Sequence, residues 1–419
     1  MRTAIVALTS TLLLSLACAG DPGTEPEAGG EPTAEDTETA EDASPETDPG
    51  ELAQTLVLVD THVDLPYRLN DGWTDVSRRT EEGHFDAVRA EEGGVDAAFM
   101  SIYVPAELGE GDEAYEHAET MIDLVERLAS EHPETFRIVS TPEGVRKAHE
   151  DGILALPMGM ENGSALGTDL GRLQHFFDRG IRYITLTHAE NNQLSDSSYA
   201  TDDRWTGLSP FGREVVAEMN RLGIMVDVSH LADEATREVI ELSEAPVIAS
   251  HSSVRALTPG FERNLSDELI RAIAGGGGVV QINFGSAFLD EEFNRISMKG
   301  WEAREEYAGE HDLEEDSEEM EAFRKEWRED HPTPTVTVSD VADHIDHVVE
   351  LVGVEHVGFG SDFDGVSSLP EGLGDVSKYP NLLAELLDQG YTEEELAKIA
   401  GENLLRVWEE VREVAAGSV

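Results

Sequence analysis

The sequence predicts an α/β fold, a TIM-like (β/α)8 barrel with a charged helical insertion before its last strand. Eight short apolar runs recur along the chain, each closed by turn residues, and amphipathic helical stretches separate most of them. Histidines and carboxylates stand just past the C-terminal ends of these runs. A parallel barrel gathers its loops on that one face. A doubly wound sheet is the alternative, but the chain has no Gly-rich dinucleotide turn to support it.

The eight strand candidates are 55–61 (TLVLVDT), 95–102 (VDAAFMSI), 153–160 (ILALPMGM), 181–187 (IRYITLT), 224–229 (IMVDVS), 247–250 (VIAS), 278–283 (GVVQIN) and 356–361 (HVGFGS). Helical periodicity marks 113–131, 170–179, 210–221, 232–243, 266–274 and 338–352, and 392–412 reads as a closing helix. Segment 290–331 is long, charge-dense and helix-prone, and is taken as the insertion.

With 419 residues and 39% apolar side chains, the chain can fill a large core. Its N-terminus differs from the rest. Residues 1–19 read as a signal peptide: Arg2 is the only charge, and the apolar run from Ala4 to Leu14 is too short for a confident membrane span. Leu14-Ser15-Leu16-Ala17-Cys18 resembles a bacterial lipoprotein signal, with Ser15 where leucine is preferred. It predicts lipidation of Cys18 and a membrane anchor. The rival is an A-x-A cleavage at Ala17-Cys18-Ala19, which releases a soluble protein; either reading places the chain outside the cytoplasm. Cys18 is the sole cysteine, so no intrachain disulfide can form. Residues 20–53, rich in Gly, Pro, Thr, Ala, Glu and Asp, read as a disordered acidic linker, and 54–415 as the barrel.

The net charge is −59. Residues 21–52 contribute 12 acidic and no basic residues; with these and Arg2 set aside, 76 acidic still face 28 basic residues. The acidity therefore belongs to the barrel. It fits a strongly solvated surface, and equally adaptation to high salt, where screening relieves self-repulsion. A basic nucleic-acid footprint is absent, which excludes that class of partner. A homodimer stays open.

His62 and Asp64 follow the first strand, Glu161 the third, His188 the fourth, His230 the fifth, His251 the sixth and Asp362 the eighth. Taken singly, a histidine at a strand end is usually a hydrogen-bonded surface or core residue. The shared topological position is what raises these above the remaining histidines. His344 and His347, at helical i, i+3 spacing on a polar face, are expected to face solvent, as are the charge-flanked His117, His132, His311 and His331.

Two residues apart in an extended strand, His62 and Asp64 point to one face and can chelate one ion. Imidazole and carboxylate without thiols suit Zn²⁺. Glu161 can bridge two ions, with His230 and His251 completing the second site. A water shared by such ions has its pKa lowered from about 15.7 towards ~7 and becomes a hydroxide nucleophile.

Six ordered blocks carry a more specific resemblance: VDTHVDLP (59–66), GMENG with GIRYITLTH (159–163, 180–188), VDVSH (226–230), SHSSVRAL (250–257), RNLSDELI (263–270), and VGFGSDFDGV with LPEGLGDVSKYPNLLAELL (357–366, 369–387). The chain from about Val59 to Trp408 resembles the membrane (renal-type) dipeptidases, a family of the amidohydrolase-like barrels. The resemblance implies two zinc ions per chain, bound by His62 and Asp64 on one side and by His230 and His251 on the other, with Glu161 between. It implies that His188 contacts substrate and steadies the tetrahedral intermediate, that Arg263 holds the substrate carboxylate, and that Asp362 meets the amino group and handles protons. Asp364 is the nearby competitor for that last role. Dipeptides, including those with a C-terminal D-residue, are the implied substrates. Asn162 departs from the glycine that many members carry there. The alternatives are another small-amide or lactam hydrolase of the amidohydrolase type, and a lipoprotein that binds peptides without cutting them.

Overall fold

A computed structural model describes residues 47–311, 313 and 317–417. The expected signal peptide, Cys18 and the linker up to residue 46 lie outside the described residues. Among the described residues ten strands occur: β1 Leu58–Val63, β2 Val95–Tyr103, β3 Phe136–Ile138, β4 Leu154–Leu156, β5 Met158–Glu161, β6 Ile181–Thr185, β7 Met225–Asp227, β8 Ile248–Ala249, β9 Val279–Ile282 and β10 Val357–Phe359. All pairings between them are parallel, in the order β1-β2-β5-β6-β7-β8-β9-β10, and β10 returns to β1 through Asp60 and Phe359. The predicted eight-stranded barrel is thus closed, with helices around it.

The third predicted strand is in fact two. Pro157 has no N–H to donate to a ladder, and the run divides there. Leu154–Leu156 joins β2 and the short β3 outside the ring, while Met158–Glu161 pairs with β2 and β6 within it. β3 is only three residues long, too short to show an alternating pattern in the sequence.

The pleat divides the core in two. Ala98, Met100, Ile184, Val226, Ala249 and Val280 point outward to the helices, while their neighbours Ala97, Phe99, Tyr183, Met225, Ile248 and Val279 point inward. The inner cluster meets Leu404, Val407 and Trp408 of the helix Asn403–Gly417, which closes the N-terminal end of the barrel. Helix ends follow local chemistry: Ser209 caps Pro210–Leu222 by accepting from the Gly212 N–H, and Gly223 ends that helix at φ 81°. The insertion supplies the helices Glu291–His311 and Glu318–Asp330 between β9 and the helix Val338–Val352.

Two expectations need correction. The linker does not extend to residue 53. Asp48 caps a short helix Pro49–Ala53 whose Leu52 and Ala53 are buried, so the folded unit starts by Thr47. His344 does not face solvent either: it is fully buried among Val341, Ile345 and Val348. Its Nδ1 accepts from the Val254 N–H at 3.0 Å and its Nε2 lies 3.1 Å from the Leu289 carbonyl. Two backbone groups satisfy both ring nitrogens, which is why a histidine tolerates a core position. No helix among the described residues is long and apolar enough to cross a membrane.

Candidate active site

The site forms at the C-terminal strand ends. β1 stops at Val63, so strand alternation does not reach Asp64, which instead opens the helix Leu65–Asp71. The turn still brings its Oδ2 to 3.4 Å from His62 Nε2. Glu161 ends β5, and its two oxygens face different partners. Oε2 lies 3.3 Å from His62 Nε2, while Oε1 lies 3.1 Å from His230 Nε2 and 3.2 Å from His251 Nε2. His188 Nε2 stands further off, at 3.7 Å from Oε1. The groups His62–Glu161–His251, Glu161–His188–His230 and His62–Asp64–Asp362 each bring their ligand atoms within 4.8 Å of one another.

Supporting residues decide which ring nitrogen is available. The Tyr183 hydroxyl donates to the Thr61 carbonyl (3.1 Å), so at 2.8 Å it accepts from the Nδ1–H of His62. His62 Nε2 is then left with its lone pair, and among the described residues this buried atom has no hydrogen-bond partner. Ser250 does the same for His251. Its hydroxyl donates to Asp227 at 2.6 Å and accepts from His251 Nδ1–H at 2.8 Å, which leaves the Nε2 lone pair directed into the cup, 3.0 Å from His230 Nε2. Such outer partners fix the tautomer of metal-binding histidines. The residues present therefore fit a divalent metal: unprotonated imidazole nitrogens converge on carboxylate oxygens, with no thiol among the described residues.

The electrostatics agree. Burial alone would raise Glu161, but His62, His188, His230 and His251 hold its carboxyl well below the usual range. Burial, then the nearby Arg263 charge, drive His230 well below the ordinary imidazole value; His251 is lowered the same way by burial, His62 and Arg263. Burial opposes a charge on His62 too, yet Tyr183, Glu161 and Asp64 raise it well above that value. The spot between His62 and its two carboxylates thus favours positive charge.

Asp362 sits in the cup, accepts from Asn283 Nδ2 at 2.7 Å, and is raised to about 7 by burial and the charge of Asp64. Asp364 also lines the cavity but is tied to the Arg68 guanidinium (3.0 Å) and to the His84 N–H (2.6 Å). Arg263 is buried, donating Nη1 to Ser252 Oγ (2.6 Å) and Nη2 to the His251 carbonyl (2.9 Å); its Nε has no hydrogen-bond partner among the described residues. Asn162 lies beneath the floor, donating to the Val104 carbonyl and accepting from Asn192 and the Ser164 N–H. Its φ of 75° explains why glycine suits this place. His230, Asp362 and Asp364 also have positive φ, so strained backbone gathers at the site.

Sequence reasoning passed over Tyr183, Asp227, Ser250 and Asn283. The legible signal was Asp227, a lone carboxylate in the apolar run IMVDV, which must be satisfied when buried. A cavity of about 570 Å³ opens above the cup, lined by Asp64, Glu161, His188, His230 and Asp362, by Tyr67, Tyr103 and Tyr199, and by Phe293, Met298 and Trp301 of the insertion.

A buried carboxylate shared by two histidine sets, at the C-terminal mouth of a parallel barrel, defines a candidate binuclear metal hydrolase. The family comparison carries this further. Residues 48–418 match the membrane dipeptidases (peptidase family M19), and the chain belongs to that family of metallo-dipeptidases. Solved structures agree along almost their full length. The probable dipeptidase PvdM from Pseudomonas aeruginosa is 29% identical with a TM-score of 0.76, over 88% of this chain and 98% of that one. Dipeptidase AC, a metallopeptidase of family M19, is 29% identical with a TM-score of 0.71, over 85% and 99%. A metallopeptidase from Rhodobacter sphaeroides, liganded with a phosphinate mimic of L-Ala-D-Ala, is 28% identical with a TM-score of 0.70, over 85% and 99%.

Proposed function

We propose that the chain hydrolyses dipeptides, L-D dipeptides among them, with two zinc ions per chain. The observation that carries this reading is the division of Glu161, whose Oε2 faces His62 and whose Oε1 faces His230 and His251. His62, Asp64 and Glu161 would hold one ion, and Glu161, His230 and His251 the other. When bound, such ions supply Lewis acidity and lower the pKa of a water towards neutrality. The protein groups do the rest. Asp362, held by Asn283 and raised to about 7, receives the water's proton and returns it to the leaving amine. His188, kept neutral by burial, offers a hydrogen bond to the developing oxyanion. Arg263, held by Ser252 and the His251 carbonyl, would bind the substrate carboxylate, and Asp362 its ammonium group. The D-residue at the second position is supported by the relative that holds a phosphinate mimic of L-Ala-D-Ala.

Blocking one terminus tests this reading. A charge-assisted hydrogen bond contributes about 1.5–3 kcal/mol, so N-acetylated dipeptides and tripeptides should lose roughly tenfold or more in kcat/KM. Equal rates on blocked and free dipeptides would place the enzyme among broader amidohydrolases. We further infer export with a lipid anchor on Cys18, supported by the apolar run before it and its being the sole cysteine. Cys18→Ser should abolish lipid labelling; an unchanged mature mass favours the A-x-A cleavage.

A further inference from the structure

We propose that the helix Glu291–His311 is the wall that selects among substrates, with Met298 and Trp301 receiving a large apolar side chain of the dipeptide. This rests on the dipeptidase reading above. If charged groups hold the two termini, which every dipeptide shares, discrimination is left to the side chains. The cavity meets the polar cup on one side and Phe293, Ser297, Met298 and Trp301 on the other. Those four lie at helical spacing on one face. Nine of the helix's 21 residues are charged, yet none of these four is. Trp301 is 47% exposed, and of the three exposed large apolar side chains among the described residues it alone lines the cavity. The helix is braced from elsewhere: the Trp327 ring lies 2.7 Å from where a Cβ on Gly300 would stand, and Tyr307 stacks on Phe323 at 4.3 Å. Bracing by the Glu318–Asp330 helix leaves the Trp301 side free to meet a ligand. A thioether and an indole make an adaptable apolar surface, suited to leucine- or phenylalanine-sized groups.

The test compares kcat/KM for Gly-Xaa and Xaa-Gly series, with Xaa as Gly, Leu, Phe, Asp and Lys, in zinc-loaded protein. The parent should prefer Leu and Phe over Gly at one of the two positions. Trp301→Ala should cut that preference about tenfold, mainly through KM, and Trp301→Leu should restore part of it. Leu242→Ala, an equally exposed apolar residue away from the cavity, should leave the preference intact. As a readout independent of turnover, a phosphinate dipeptide mimic with a benzyl side chain should blue-shift tryptophan emission, and Trp301→Leu should abolish the shift. If dipeptides are cut but Trp301→Ala leaves both series unchanged, the selecting wall is overturned and the dipeptidase reading stands. If the parent cuts no dipeptide, both fall.

Discussion

The hydroxyl of Tyr183 lies 2.8 Å from Nδ1 of His62 and determines which nitrogen of that imidazole can bind a cation. Tyr183 is itself set by the barrel interior. Its ring fills the space over Gly159, where a Cβ would approach within 2.0 Å, and packs 5.4 Å from Phe99, which in turn meets Trp408 of the closing helix. One line of contacts therefore runs from the far end of the barrel to His62.

Tyr183→Phe keeps this packing and removes only the hydroxyl. The expected outcome is a folded protein whose zinc affinity falls about 10–100-fold, because His62 loses the acceptor that fixes its tautomer. Competition against a chromogenic chelator measures it, and unchanged affinity would refute the tautomer argument.

Glu161→Gln should be worse than Asp64→Asn. A neutral amide bridges two cations poorly, whereas Asp64 serves only the His62 side. Elemental analysis after dialysis should find close to two zinc equivalents in the parent and a loss from both sites in Glu161→Gln. A Glu161→Gln protein that retains both ions refutes the bridging role.

His344 predicts a pH dependence of stability. Burial lowers its pKa to about 4, against about 6.5 for an unfolded histidine. Between those values the unfolded chain binds the extra proton, so this contribution is full above about pH 6.5 and is lost as pH falls towards 4. The shift corresponds to about 3 kcal/mol. Denaturant titrations should show the parent losing stability more steeply across this window than His344→Gln, whose amide can accept and donate without titrating.

The N-terminal boundary is testable by truncation. A chain beginning at Thr47 should match the full protein in melting temperature. One beginning at Thr55 loses buried Leu52 and Ala53, the latter pressed against Gly94 before β2. Burial of one leucine contributes about 2 kcal/mol, so the shorter chain should melt measurably lower. Equal melting temperatures would restore the linker to residue 53.

The barrel and the five convergent side chains His62, Asp64, Glu161, His230 and His251 were legible in the chain alone. Strand-length apolar runs and strand-end polar residues are local patterns, and a parallel barrel turns them into one cup whatever the details of its packing. The contacts between elements were not legible. The break at Pro157, the burial of His344 and the Tyr183–His62 and Ser250–His251 contacts join residues from separate elements, and no local periodicity records them. Asp362 and Asp364 make the point most sharply. Two residues apart and both at positive φ, they look alike in the chain. Only the tertiary structure separates them, by placing Arg68 and the His84 N–H on Asp364 and Asn283 on Asp362. A carboxylate's charge partners come from distant segments, and those partners set the two apart.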